Sequence, residues 1–119
     1  VVDDDTSLRQ ILAWGFEDMG YRVWTAADCR QARQLARRVP FDCVLLDFWL
    51  PDGTGHVLAT DLLALLPDTR IVLMSGDRPA AVATIDEPPA AAAFVDKPVK
   101  LARLDRFFMA SPGLQPASG

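Results

Sequence analysis

The chain has 119 residues, a formal net charge of -4 and a pI near 4.7, with 50% hydrophobic and 24% charged residues. One domain of this size buries roughly two-thirds of the surface its unfolded chain exposes, enough for a core without disulfides or a structural metal, and the composition excludes global disorder. The acidic balance argues against direct nucleic-acid binding, the two cysteines are too few for a disulfide scaffold, and no apolar run reaches membrane-spanning length.

Val1-Val2 followed by Asp3-Asp4-Asp5 reads as the tail of a strand. With no Met and no signal-peptide pattern, the chain is expected to be a fragment whose first strand is cut short. Leu8, Ile11, Leu12, Gly15, Phe16 and Met19 recur at the spacing of one helix face. Thr6 or Ser7 is expected to cap this helix and Gly20 to end it. Tyr21 to Ala26 is rich in β-formers and predicts a second strand. Asp28 is placed to cap a second helix carrying Ala32, Leu35, Ala36 and Val39 on one face, which Pro40 stops. Arg30, Arg33, Arg37 and Arg38 take its outward positions and read as a solvated face.

Cys43-Val44-Leu45-Leu46 is a continuous apolar run, as expected of a strand covered on both faces, and it ends on Asp47. A Pro51-Asp52-Gly53-Thr54-Gly55 turn leads into an apolar helix from about Gly55 to Leu66, closed by Pro67-Asp68. Ile71 to Met74 predicts another doubly covered strand, ending on Ser75-Gly76-Asp77. A short helix is expected from Pro79 to about Glu87, with Pro88-Pro89 ending it. Ala93-Phe94-Val95 predicts a fifth strand ending at Asp96-Lys97-Pro98, and Leu101 to Met109 a final helix. Residues 1–110 then form one domain, and 111–119 have the composition of a linker or tail. Strict alternation of five strands and five helices implies an α/β fold with a parallel sheet and right-handed crossovers.

In an open parallel sheet, ligands bind beyond the carboxyl ends of the strands. Asp3 and Asp4 follow the first strand, Asp47 the third, Ser75 the fourth and Lys97 the fifth, so all converge on one edge. Three carboxylates together call for a hard divalent cation, and Mg²⁺ suits them because it takes few carboxylates, keeps waters and accepts a phosphate oxygen. A hydroxyl and an ammonium opposite them suit the other oxygens of a phosphoryl group. A carboxylate can itself be the nucleophile that forms an acyl phosphate.

With these stretches in hand (VVDDD, LLDFWLPDGTG, IVLMSG and FVDKP), the chain resembles the receiver domain of bacterial two-component response regulators over roughly Val1 to Met109. The intervals of 28 residues from Asp47 to Ser75 and 22 from Ser75 to Lys97 fit as well. The resemblance implies a flavodoxin-like, doubly wound five-stranded sheet in the order 2-1-3-4-5. It implies a cytoplasmic phospho-acceptor switch served by a sensor histidine kinase or a histidine phosphotransfer protein, and no turnover enzyme. By position, Asp47 matches the phosphorylated residue. Asp3, Asp4, Asp47 and the Trp49 backbone carbonyl match the ligands of Mg²⁺ or Mn²⁺. Ser75 and Lys97 match the phosphoryl-binding pair, Ser75 and Phe94 the switch residues, and Lys97-Pro98 a cis peptide. The face of the fourth helix, fifth strand and fifth helix would change on phosphorylation, and it also allows a homodimer.

Three departures stand out. Phe94 replaces the more familiar tyrosine, Pro88-Pro89 disturbs the end of the fourth helix, and bulky Trp49 lies two residues past the acceptor. An Asp-nucleophile phosphatase would favour a second aspartate at the Trp49 position. A receiver-like module that is never phosphorylated is the other alternative, and the intact acidic set argues against it. His56 has no partner at ligand spacing and reads as structural. Cys43 reads as a buried core thiol, while Cys29, near a helix start, is where a thiol pKa could fall. Trp14 and Trp24 read as packing residues.

Overall fold

The computed structural model describes residues 1–83 and 93–109. The expected end of the short helix at Glu87, the Pro88-Pro89 stop and the 111–119 tail lie outside the described residues. The elements are α1 (Thr6–Asp18), α2 (Cys29–Ala36), β1 (Cys43–Asp47), β2 (Trp49–Leu50), β3 (Gly53–Thr54), α3 (Gly55–Leu65), β4 (Arg70–Ser75), α4 (Arg78–Val82), β5 (Ala93–Asp96) and α5 (Leu101–Met109). No helix among the described residues is long and apolar enough to cross a membrane.

The central strands β1, β4 and β5 pair in that order, all parallel, with Asp47 opposite Met74 and Ser75 opposite Asp96. Val2 adds a parallel bridge to Leu46 on one side and to Ala26 on the other. The expected strand over Tyr21–Ala26 is therefore a single bridged residue. The Val1-Val2-Asp3 backbone runs beside it with three hydrogen bonds: the Val1 amino group to the Trp24 carbonyl at 3.0 Å, Asp3 N–H to the Ala26 carbonyl at 3.1 Å and Ala26 N–H to the Val1 carbonyl at 3.0 Å. Too few neighbouring residues are available to build a ladder.

Period-two alternation sends the strand side chains to opposite faces. Val44, Leu46, Ile71 and Leu73 join Ala32 and Ala36 of α2 and Leu58 and Leu62 of α3 in one core. Leu45, Val72, Met74 and Val95 join Leu12 and Phe16 of α1 and Leu104 and Phe108 of α5 in a second. Because β1 and β4 are buried on both faces, they read as continuous apolar runs.

Helix ends follow local chemistry with two corrections. Asp5, not Thr6 or Ser7, caps α1, its carboxylate accepting from the Leu8 amide at 3.1 Å. An ionised carboxylate is the stronger acceptor beside the positive end of a helix dipole. Gly20 at φ 98° ends α1, with Gly20 N–H bonded to the Glu17 carbonyl and Tyr21 N–H to that of Phe16, the paired bonds of a Schellman stop. Asp28 caps α2 as expected, through the Gln31 amide. That helix ends at Ala36 rather than continuing to Val39.

Trp14 is a further correction, being 60% exposed, and Ile11 on the expected inner stripe is 59% exposed. The apolar stripe of α1 is wider than the surface available, and the helix turns Leu12, Ala13 and Phe16 inward, with Gly15 against Leu101 of α5. Trp24 does pack, edge-on to Phe41. Arg33 is not merely solvated, since it ties α2 to α3 through Asp61 at 2.8 Å.

Gly55 opens α3 where neighbouring backbone leaves no room for a side chain. Its amide donates to the Phe48 carbonyl at 2.7 Å, and a Cβ there would lie 2.5 Å from the Asp47 carbonyl oxygen and 2.8 Å from Leu73 Cδ2. A backbone oxygen inside β1 cannot yield. Gly55→Ala is expected to cost about 1–3 kcal/mol by overpacking, read as a lower urea midpoint at unchanged m-value.

Candidate functional site

Each site residue is placed by the strand that precedes it. Asp3 follows the Val2 bridge, Asp47 closes β1, Ser75 closes β4, and Lys97 follows β5, its amide bonded to the Ser75 carbonyl at 2.8 Å. The parallel register brings these ends to one edge, and the side chains meet there. Lys97 Nζ lies 3.0 Å from Asp3 Oδ2 and 3.4 Å from Asp47 Oδ2. The Lys97–Pro98 peptide is cis.

Asp3 is wholly buried, Asp47 is buried, and Asp4 is exposed. One carboxylate oxygen from each comes within 4.8 Å of the others. A buried carboxylate must be paired and hydrogen-bonded to stay ionised. Asp3 is paired with Lys97 and accepts at its Oδ1 from the Asp5 amide at 2.8 Å. For Asp47, burial pushes the carboxyl up, the Lys97 charge pulls it down and the Asp3 charge pushes it up again, for a net rise above the ordinary range. Burial alone would lower Lys97, but its bond to Asp3 and the charges of Asp47 and Asp3 hold it above its usual value. One ammonium thus faces two carboxylates with a third beside them. An all-oxygen trio carrying surplus negative charge fits a hard divalent cation.

Ser75 is fully buried, and its hydroxyl oxygen accepts from the Asp77 amide at 3.0 Å, so it is engaged with its own loop rather than with Asp47. Trp49 opens the β2–β3 hairpin just past Asp47 and is 46% exposed, with its ring edge-on to Phe48 at 4.8 Å. Phe94 is half-buried on β5.

Several contributors were not singled out in the sequence. Arg9 reaches back from α1 to the Asp3 carbonyl at 2.7 Å. Asp52 at the hairpin tip accepts the Cys29 and Arg30 amides at 2.8 and 3.1 Å, which holds its carboxyl below the usual range. Phe48, fully buried, stacks on Phe94 with ring centres 5.8 Å apart. The one signal in the sequence for Phe48 is that the apolar run of β1 resumes immediately after Asp47. Cys29 corrects an expectation: burial and the hydrogen bond to Asp52 push its thiol up to about 12 rather than down. Cys43 is half-buried rather than buried, its thiol raised to about 11 mainly by burial. His56 stands apart from the acidic trio, its Nδ1 buried without a hydrogen-bond partner.

The sequence model of the response regulator receiver domain matches residues 1–108. The chain belongs to that family. Its members are signalling domains of two-component systems, phosphorylated on aspartate. The chain is 32% identical over 104 residues to the response regulator PilR of Pseudomonas aeruginosa, covering 87% of this chain but 23% of PilR. It is therefore similar to about a quarter of that protein's length. Among solved structures, the non-phosphorylated HemR receiver domain of Leptospira biflexa is 31% identical with a TM-score of 0.74, covering 90% of each chain. A CheY-like receiver domain from Methanospirillum hungatei matches in fold with a TM-score of 0.82 at 24% identity, covering 99% of this chain and 94% of that one.

The raised Asp47 carboxyl means that ionising it costs more in the folded chain than in the unfolded one. Its contribution to stability is present below the unfolded pKa and lost as pH rises through the folded one. Asp47→Asn is expected to melt higher than the parent at pH 7 in metal-free buffer. The gap should close as pH falls below the ordinary carboxylate range, followed by thermal unfolding across pH.

Proposed function

We propose that the chain is a phospho-acceptor switch in which Asp47 takes a phosphoryl group from the phosphohistidine of a sensor histidine kinase or a histidine phosphotransfer protein. The observation that carries this reading is the buried Asp47 carboxylate, 3.4 Å from Lys97 Nζ and within an acidic trio at the sheet's carboxyl edge. An Asp47 oxygen attacks phosphorus, the phosphorus–nitrogen bond of the donor breaks, and its electron pair leaves on the imidazole nitrogen. Lys97 pairs with one phosphoryl oxygen. Ser75 exchanges the Asp77 amide for another, and Phe94 moves into the space it leaves.

Asp3, Asp4, Asp47 and the Trp49 carbonyl would hold Mg²⁺, or Mn²⁺ in its place. Such an ion, when bound, neutralises charge between the carboxylates and the phosphoryl oxygens. The domain would serve its own phosphorylation and dephosphorylation and turn over no metabolite. Residues 1–110 form the receiver unit on this reading and 111–119 lead out of it. The sheet is the doubly wound 2-1-3-4-5 arrangement, a reading supported by the two bridges at Val2. The α4-β5-α5 face would carry the output and could support a homodimer. A cytoplasmic location goes with this role, and direct nucleic-acid or membrane binding does not.

Incubation with Mg²⁺ and acetyl phosphate is expected to add the mass of one phosphoryl group to the intact chain, and Asp47→Asn to abolish the gain. No gain at any acetyl phosphate concentration would favour the unphosphorylated interaction module. The exposed Trp49 ring beside the acceptor is expected to exclude water from the acyl phosphate. Trp49→Ala should speed its decay several-fold, and an unchanged decay rate would remove that role.

A further inference from the structure

Three rings run without a break from the mouth of the site to β5. Trp49 stands edge-on to Phe48 at 4.8 Å and 81°, and Phe48 stacks on Phe94 at 5.8 Å and 22°. The middle ring has no room to move alone. Phe48 is 0% exposed, its amide donates to the Met74 carbonyl at 2.8 Å, and its carbonyl accepts from Gly55 at 2.7 Å. It is also covalently next to Asp47. Interiors packed at crystal density do not compress; they shift between discrete arrangements. A displacement of the Asp47 backbone therefore carries Phe48 with it, and the Phe48 ring is stacked on that of Phe94.

We infer that Phe48 is a positioning residue that couples the acceptor loop to Phe94 through ring stacking, independently of the Ser75 hydroxyl. The inference rests on the phospho-acceptor reading for its purpose but not for its test. The Ser75 hydroxyl is bonded to the Asp77 amide, whereas Phe48 meets Phe94 through its ring, so the two connections use different side-chain groups. If Phe48 only filled volume, a ring-free side chain of similar size would preserve everything except some stability.

The test uses fluorine NMR on fluorotryptophan-labelled protein, with the Trp49 resonance assigned by Trp49→Phe. Phe94→Leu is expected to shift the Trp49 resonance in the parent chain and in Ser75→Ala. It should leave that resonance unmoved in Phe48→Leu, and Phe48→Tyr should restore the shift. An equal shift in the Phe48→Leu background, or none in the parent, would overturn the inference. Phe48→Met, also ring-free, replaces Phe48→Leu should the latter fail to fold. A second arm adds acetyl phosphate and Mg²⁺. Phe48→Leu should gain the same mass as the parent yet lose the phosphorylation-dependent change in hydrogen exchange over residues 93–96. A retained exchange change counts against the coupling. A parent chain that gains no mass overturns the phospho-acceptor reading, while the fluorine result still decides the coupling.

Discussion

One ammonium set against two buried carboxylates is the constraint around which this domain is organised. Lys97 holds Asp3 and Asp47 together across residues 94 and 50 positions away in the chain. Removing it would leave two buried carboxylates without their cationic partner, a loss on the order of 3–5 kcal/mol for a broken buried pair. The pairing is also incomplete, since a single positive charge cannot offset both carboxylates and the nearby Asp4. That residual imbalance is a surplus of negative charge of the kind a hard divalent cation would offset.

The sheet exists in this form because it can deliver those three groups to one place. Parallel strands all finish at the same edge, so residues far apart in sequence become neighbours without any loop having to reach inward. The double apolar coating of β1 and β4 makes that edge rigid, and Gly55 lets α3 start directly against the Asp47 carbonyl. The helices therefore matter to the chemistry mainly by fixing where the strands stop.

Much of this was legible in the residues. The runs Cys43–Leu46 and Ile71–Met74 could only be doubly covered strands, and the polar residue after each strand marked the site. What escaped was set by tertiary geometry. Tyr21–Ala26 has strand-like composition, but pairing depends on the neighbour beside it rather than on composition. Ile11 follows helical spacing yet faces outward, because α5 decides which part of the stripe is covered. Thr6 and Ser7 offer hydroxyls at the start of α1, but the Asp5 carboxylate is the better acceptor and forms the cap. Arg9 and Asp52 act on backbone groups brought near by folding, and no spacing rule announces such contacts. Phe48 is one apolar residue after Asp47 in the sequence, and its stack with Phe94 exists only in three dimensions.

The hairpin that follows Asp47 is short, but it is not loose. Its tip is tied to the start of α2 by the two amide bonds to Asp52, and its base is tied to β1 by the Gly55–Phe48 bond. The conformational entropy of this segment is therefore lost when the chain folds and not when a ligand arrives. A ligand entering beside Trp49 meets a wall already in place, and its binding energy is not diverted into ordering the protein.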